Sequence, residues 1–175
     1  NETVAGHLAA LEIPVIYRVH EEPSEEKMAD LVDFLGTIGV ALPPAGKLKP
    51  RHIQKAIASV KGTPEESLVN TVVLRTMKQA RYSEENIGHF GLAAETYTHF
   101  TSPIRRYPDL VVHRLLKEAL RAEGMASGGG ESYVMAPTKE DVARSAADCS
   151  SFERRAMEAE REVVDMYRAW IMRER

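Results

Sequence analysis

The strongest constraint on this fold lies at its C-terminal end. From Val142 onward apolar side chains recur at steps of three and four: Ala146, Cys149, Phe152, Ala156, Ala159, Val163, Met166 and Trp170. That spacing lines one face of a 3.6-residue helix and is incompatible with a strand. Thr138 stands where an N-cap hydroxyl is needed, with Asp141 three residues on. The pattern predicts one amphipathic helix of more than about 30 residues, ending near Arg173.

The same logic places shorter helices upstream. Val4, Leu8 and Leu11 are helically spaced, and Pro14 stops that helix. Ser24 caps a helix to Ile38, with Met28, Leu31, Val32 and Leu35 on its apolar side and Gly39 as its stop. A third helix covers roughly Arg51 to Val60. Thr63-Pro64-Glu65-Glu66 reads as a capping box that opens a fourth, running to about Met77. A fifth runs from about Pro108 to Arg121. Val15 to His20 alternate as a short strand, and Ala80 to Phe100 read as short strands with tight turns around Asn86, Gly88 and Gly91. The expected class is α+β, mainly helical. Residues 124–132, with three consecutive glycines, are expected to form a flexible loop.

Composition excludes more than it selects. A chain of 175 residues with 43% hydrophobic and 28% charged residues suits one globular domain or part of a larger one. No apolar run is long enough to span a bilayer, and the first residues lack a secretory signal. The single Cys149 excludes an internal disulfide, and a reduced cytoplasmic setting is expected. Because residues Glu2 to Leu11 already read as helix, the chain reads as entered in mid-domain. The formal net charge of −3 does not by itself favour nucleic acid. Phosphate binding needs only a local basic surface, however, and basic residues bunch at Lys47 to Lys55 and at Arg105 to Arg114.

The chemically informative segment is Tyr97-Thr98-His99-Phe100-Thr101-Ser102-Pro103-Ile104-Arg105-Arg106-Tyr107-Pro108-Asp109, followed by His113-Arg114 and preceded by Gly88-His89-Phe90-Gly91-Leu92. Ser102-Pro103 is a helix-start signal, and Pro108 forbids a regular helix through Tyr107. The segment should therefore make one turn and start afresh. Two arginines then stand where a helix start prefers acids. Either an anion sits there, or Arg105 and Arg106 pair with carboxylates such as Asp109. The interleaved aromatics (His89, Phe90, Tyr97, His99, Tyr107) suit stacked bases over a phosphate track, or else a core.

This segment resembles the signature of the ribonuclease II/ribonuclease R family, and the likeness leans toward ribonuclease R. Tyr17 to His20, Leu74 to Tyr82 and Ala159 to Asp165 resemble flanking parts of the same catalytic domain, the RNB domain. The resemblance implies that residues 1–175 are the C-terminal part of an RNB domain. It implies a 3′→5′ exoribonuclease that hydrolyses single-stranded RNA to nucleoside 5′-monophosphates with two divalent metals, normally magnesium. On that likeness Arg105 matches the catalytic arginine and Glu160 an active-site glutamate. His89, Tyr97, Thr101, Ser102 and Arg106 would hold RNA. The family's cluster of metal-binding aspartates has no counterpart here, since Asp30, Asp33, Asp109, Asp141, Asp148 and Asp165 are scattered. No metal ligand is therefore expected in this chain. The resemblance implies that its partners are single-stranded RNA, the N-terminal half of the domain and the family's flanking RNA-binding domains. A non-catalytic RNA-binding or regulatory module is the alternative, and a purely helical interaction domain a third.

Overall fold

The structure, a computed structural model, describes residues 1–124 and 137–173. Six helices and a two-stranded ribbon follow in the order α1 (Glu2–Ala10), β1 (Tyr17–Val19), α2 (Glu25–Thr37), α3 (Pro50–Ser59), α4 (Glu66–Thr76), β2 (Arg81–Ser83), α5 (Tyr107–Ala122) and α6 (Lys139–Arg173). The α+β, mainly helical class is as the sequence indicates. Most of the proposed 124–132 loop lies outside the described residues.

The ribbon organises the fold through its period of two. β1 pairs antiparallel with β2, Arg18 opposite Tyr82. Alternation sends Val15, Tyr17 and Val19 to one face, where they pack with Leu8 of α1 and with Val112, Leu115 and Ala119 of α5. It sends Ile16 to the other face, where it joins Tyr82 of β2 and Val142 and Ala146 of α6. Burying each such side chain contributes about 1.5–3 kcal/mol. A separate core holds α2, α3 and α4 together around Leu31, Leu35, Ile53 and Val69, with Phe90 closing its end.

Most helix boundaries follow their caps. Ser24 Oγ accepts from the Lys27 N–H at 3.4 Å at the start of α2, and Gly39 beyond its end takes φ +79°. At α6 the Asp141 N–H donates to Thr138 Oγ1 at 3.2 Å while Thr138 N–H donates to the Asp141 carboxylate, also at 3.2 Å. The box at Thr63 is a correction. Thr63 Oγ1 donates backward to the Val60 carbonyl, and Glu66 instead accepts from the Gly62 N–H, so α4 opens at Glu66. The hydroxyl donates to a carbonyl at the α3 terminus and accepts no N–H from the start of α4.

The segment 80–100 contains the strand Arg81–Ser83, a short 3-10 helix at Phe90–Leu92, and isolated bridges that join His89 to His20 and to Ala94. Its backbone groups bond across long separations: Arg18 N–H to the Tyr97 carbonyl at 2.9 Å and Phe90 N–H to the His20 carbonyl at 2.9 Å. These contacts satisfy the backbone without a continuous ladder. They also seat residues 97–98 alongside β1, where Thr98 Oγ1 donates to the Ile16 carbonyl at 2.6 Å.

Only the first part of α6 is seated. Val142, Ala146 and Ser150 are buried, whereas every residue from Arg154 to Arg173 is exposed. The Ser150 hydroxyl accepts the Tyr82 N–H at 2.9 Å and so ties α6 to β2. Beyond it Arg18 reaches Glu153 at 2.6 Å.

Candidate nucleic-acid interface

The Ser102 segment makes one turn, with the Arg106 N–H donating to the Ser102 carbonyl at 3.1 Å, and α5 starts at Tyr107 with Pro108 in its first turn. Asp109 holds the two together. Its carboxylate is fully buried and accepts the Ser102 N–H at 2.7 Å. The same carboxylate takes both ends of the Arg106 guanidinium fork, Nε and NH2, each at 2.8 Å. Asp109 thus supplies the anion that the turn requires, and Arg106 is its counter-ion. Of the two readings open in the sequence, local pairing holds for Arg106.

Arg105 differs. It is exposed, and although its N–H donates to the Ser102 carbonyl at 3.3 Å, its side chain has no hydrogen bond or ion pair among the described residues. Its neighbour Ile104 projects fully into solvent, at 101% exposure. The turn presents one uncommitted guanidinium on a braced backbone. Thr101 is exposed beside it, and Ser102 is half-buried.

A row of rings leads toward the turn. His20 lies 5.1 Å from His89, His89 lies 5.4 Å from Tyr97, and Tyr97 lies 6.0 Å from His99. Tyr82 joins at the end, its hydroxyl 3.0 Å from His99 Nδ1. His20 is locked: Nδ1 accepts the Gly91 N–H at 2.8 Å, which leaves Nε2 to donate to the Lys78 carbonyl at 2.7 Å. Gly91 permits this approach, because a Cβ there would lie 2.7 Å from His20 Nδ1. Tyr97 Oη accepts from the Asn1 amide at 2.8 Å, and the Asn1 carbonyl oxygen accepts the Phe100 N–H at 3.1 Å. His113 stacks on Phe100 with centroids 4.1 Å apart and bonds its carbonyl.

His99, His89 and Tyr82 are each shifted toward the neutral form. Burial, followed by the nearby Arg106 and Arg18 guanidiniums, pulls His99 down to about 4. Burial and then His20 lower His89. Burial pushes Tyr82 up to about 12. The Arg18 guanidinium lies over the Tyr82 ring, 4.6 Å from its centroid, and is neutralised by Glu153. His89 Nδ1 is buried without a hydrogen-bond partner. An open cleft of about 500 Å³ runs beside His89, lined by His20, Asn86, Gly88 and Phe90 among others.

Of the residues that the sequence singled out, His89 and Tyr97 meet ring to ring, and Thr101, Ser102, Arg105 and Arg106 share the braced turn. Glu160 sits apart, exposed on the outer part of α6. Sequence reasoning missed Arg18 and Glu153 as partners of this row. Period two in β1 and the α6 stripe were the only signals for that juxtaposition. Among the described residues no group of three or more His, Cys, Asp or Glu could hold a metal ion. No described helix is long and apolar enough to cross a membrane.

The site is thus a braced cationic turn beside a row of aromatic and imidazole rings, on an α+β scaffold. The family model of the RNB domain matches residues 1–122, and the chain belongs to that family. Within it, similarity runs to the ribonuclease R proteins. The chain is 44% identical to ribonuclease R 1 of Lactococcus lactis subsp. lactis over 99% of its own length and 21% of that protein's. It is 46% identical to ribonuclease R of Aquifex aeolicus, covering 100% of this chain and 24% of that protein. In structure it resembles Mycoplasma genitalium RNase R in complex with ribose-methylated single-stranded RNA, with a TM-score of 0.80 and 30% identity over 95% of this chain and 26% of that one. It also resembles yeast Ssd1, a pseudonuclease, with a TM-score of 0.70 and 25% identity over 85% of this chain and 18% of that one. The chain thus spans about a quarter or less of the curated relatives it matches.

Proposed function

We propose that this chain is the C-terminal part of the catalytic domain of a 3′→5′ exoribonuclease, supplying an RNA-binding wall and the catalytic arginine. The observation that carries this is the contrast at the turn: Arg106 is consumed by Asp109, whereas Arg105 is exposed and uncommitted. A fixed backbone holding a free guanidinium is what stabilises charge building on a phosphoryl group, because no reorganisation is needed during reaction. Thr101, the Ser102 hydroxyl, His89 and Tyr97 border the path of a single strand, and Arg106 keeps the turn in shape while adding positive potential. Glu160 would approach the site from α6. Hydrolysis in this family is magnesium-dependent. The described residues do not fit such a site, so no step is assigned through the metal here. The reading carries with it the N-terminal half of the domain, flanking RNA-binding domains and a cytoplasmic setting.

The test uses uniformly labelled single-stranded RNA and the full-length protein. Nucleoside 5′-monophosphates should appear from the 3′ end. Arg105→Ala should lower turnover about 100- to 1000-fold, roughly 3–4 kcal/mol, with RNA affinity falling far less. The likeness to a pseudonuclease favours a second reading, a non-catalytic RNA-binding module. Salt-sensitive RNA binding with no mononucleotide release would select it.

A further inference from the structure

His99 has one ring nitrogen fixed by a hydrogen bond and the other unpaired among the described residues. The Tyr82 side chain is buried, at 5% exposure, and its phenol has His99 Nδ1 as its one hydrogen-bond partner among the described residues. The phenol proton must go somewhere, so Tyr82 donates and Nδ1 accepts. The ring's own proton then sits on Nε2. That nitrogen has no hydrogen-bond partner among the described residues and is not fully buried. Its charged neighbours are already neutralised: Arg18 by Glu153, and Arg106 by Asp109. Tyr97 and His89 complete its surroundings from the other side.

Resting on the exoribonuclease reading, we propose that His99, with Nδ1 fixed by Tyr82, donates an uncharged hydrogen bond from Nε2 to an acceptor oxygen of the ribose-phosphate backbone, just ahead of the Arg105 turn. A row of rings alone tolerates any stacked strand. A fixed neutral donor adds registration: it reads one oxygen at one position along the track and leaves counterion release to Arg105. The acceptor is either a ribose 2′-hydroxyl or a phosphate oxygen.

The experiment measures affinity of the full-length protein for a fluorescent single-stranded oligoribonucleotide in chelator, comparing wild type, His99→Phe and His99→Gln. His99→Phe should weaken binding about 3- to 10-fold, the effect of one net hydrogen bond, whereas His99→Gln, which returns an N–H near Nε2, should stay within about twofold of wild type. The loss should vanish on one of two modified probes. A 2′-deoxy substitution that erases it assigns the ribose, and a methylphosphonate that erases it assigns the phosphate. The difference between wild type and His99→Phe should hold constant between about pH 5.5 and 8, since an imidazole with an ordinary value near 6.5 would otherwise titrate across that range. A loss undiminished on both probes, or one that fades as pH rises, overturns the assignment. Equal affinity of His99→Phe and wild type, with mononucleotide release intact, overturns it while sparing the nuclease reading. Absence of RNA binding by wild type overturns both.

Discussion

The Ser102–Asp109 turn and the outer half of α6 are made of the same materials, arginines and acids among apolar side chains, yet they use them differently. In the turn, Asp109 is fully buried and takes three hydrogen bonds, so Arg106 and the backbone have a single geometry. On α6, Asp165 meets Arg168 at 3.0 Å and Arg161 at 3.8 Å, with every partner more than half exposed. Such pairs contribute about 0–1 kcal/mol and fix little. Phe152, Val163, Met166 and Trp170 stand exposed beside them. On the proposed exoribonuclease reading, the difference favours Arg105 over Glu160 as a site residue. A free charge is useful when its surroundings are immobile, and only the turn provides that.

The comparison can be broken first at Asp109. Asp109→Asn leaves Arg106 without its counter-ion in a largely buried place and should cost about 3 kcal/mol or more in urea unfolding. A loss below 1 kcal/mol would mean that the turn is not braced as described. Ser150→Ala strands the buried Tyr82 N–H and loosens the seated part of α6, at a cost of about 1–3 kcal/mol.

A pH titration sharpens the picture of the wall. His99 is depressed to about 4 in the folded chain, so the unfolded chain takes up the proton first. The stability owed to this group is complete above about pH 6.5 and drains as pH falls toward 4, by on the order of 1–3 kcal/mol. His89 shifts in the same direction and adds to the slope. His99→Phe should flatten that limb of the pH–stability curve. The smallest effect is expected on α6: Glu160→Gln should leave stability within about 0.5 kcal/mol. A fall in turnover with stability unchanged would place Glu160 at the reacting end of the RNA, whereas unchanged turnover removes it from the site.

What could be read from residues alone followed the range of the forces involved. Helices α2, α5 and α6 were legible because periodicity and caps are local. Helix α6 runs through Arg173, the last described residue, although its stripe did not reveal that only Val142, Ala146 and Ser150 would be buried. The capping box at Thr63 misled because a hydroxyl can serve either neighbouring helix. Within residues 80–100 the exact strand bounds were not legible, because their backbone partners, Arg18 and His20, lie more than sixty positions away. At the site, Pro103 and Pro108 announced the turn, and Asp109 could be named as a possible partner. Which arginine it would take was settled only by the fold of the turn itself. The Arg18–Tyr82–His99 cluster needed strand register, and register is not a local property.

The central claim is a division of labour between two adjacent arginines, and parallel measurement of Arg105→Ala and Arg106→Ala tests it most directly. Unfolding free energy and single-turnover cleavage should be recorded on the same preparations. The account predicts that Arg105→Ala keeps wild-type stability while losing cleavage, and that Arg106→Ala loses roughly 2–4 kcal/mol of stability by leaving Asp109 buried and unpaired. Equal losses of stability at both positions, or cleavage surviving Arg105→Ala, would contradict it.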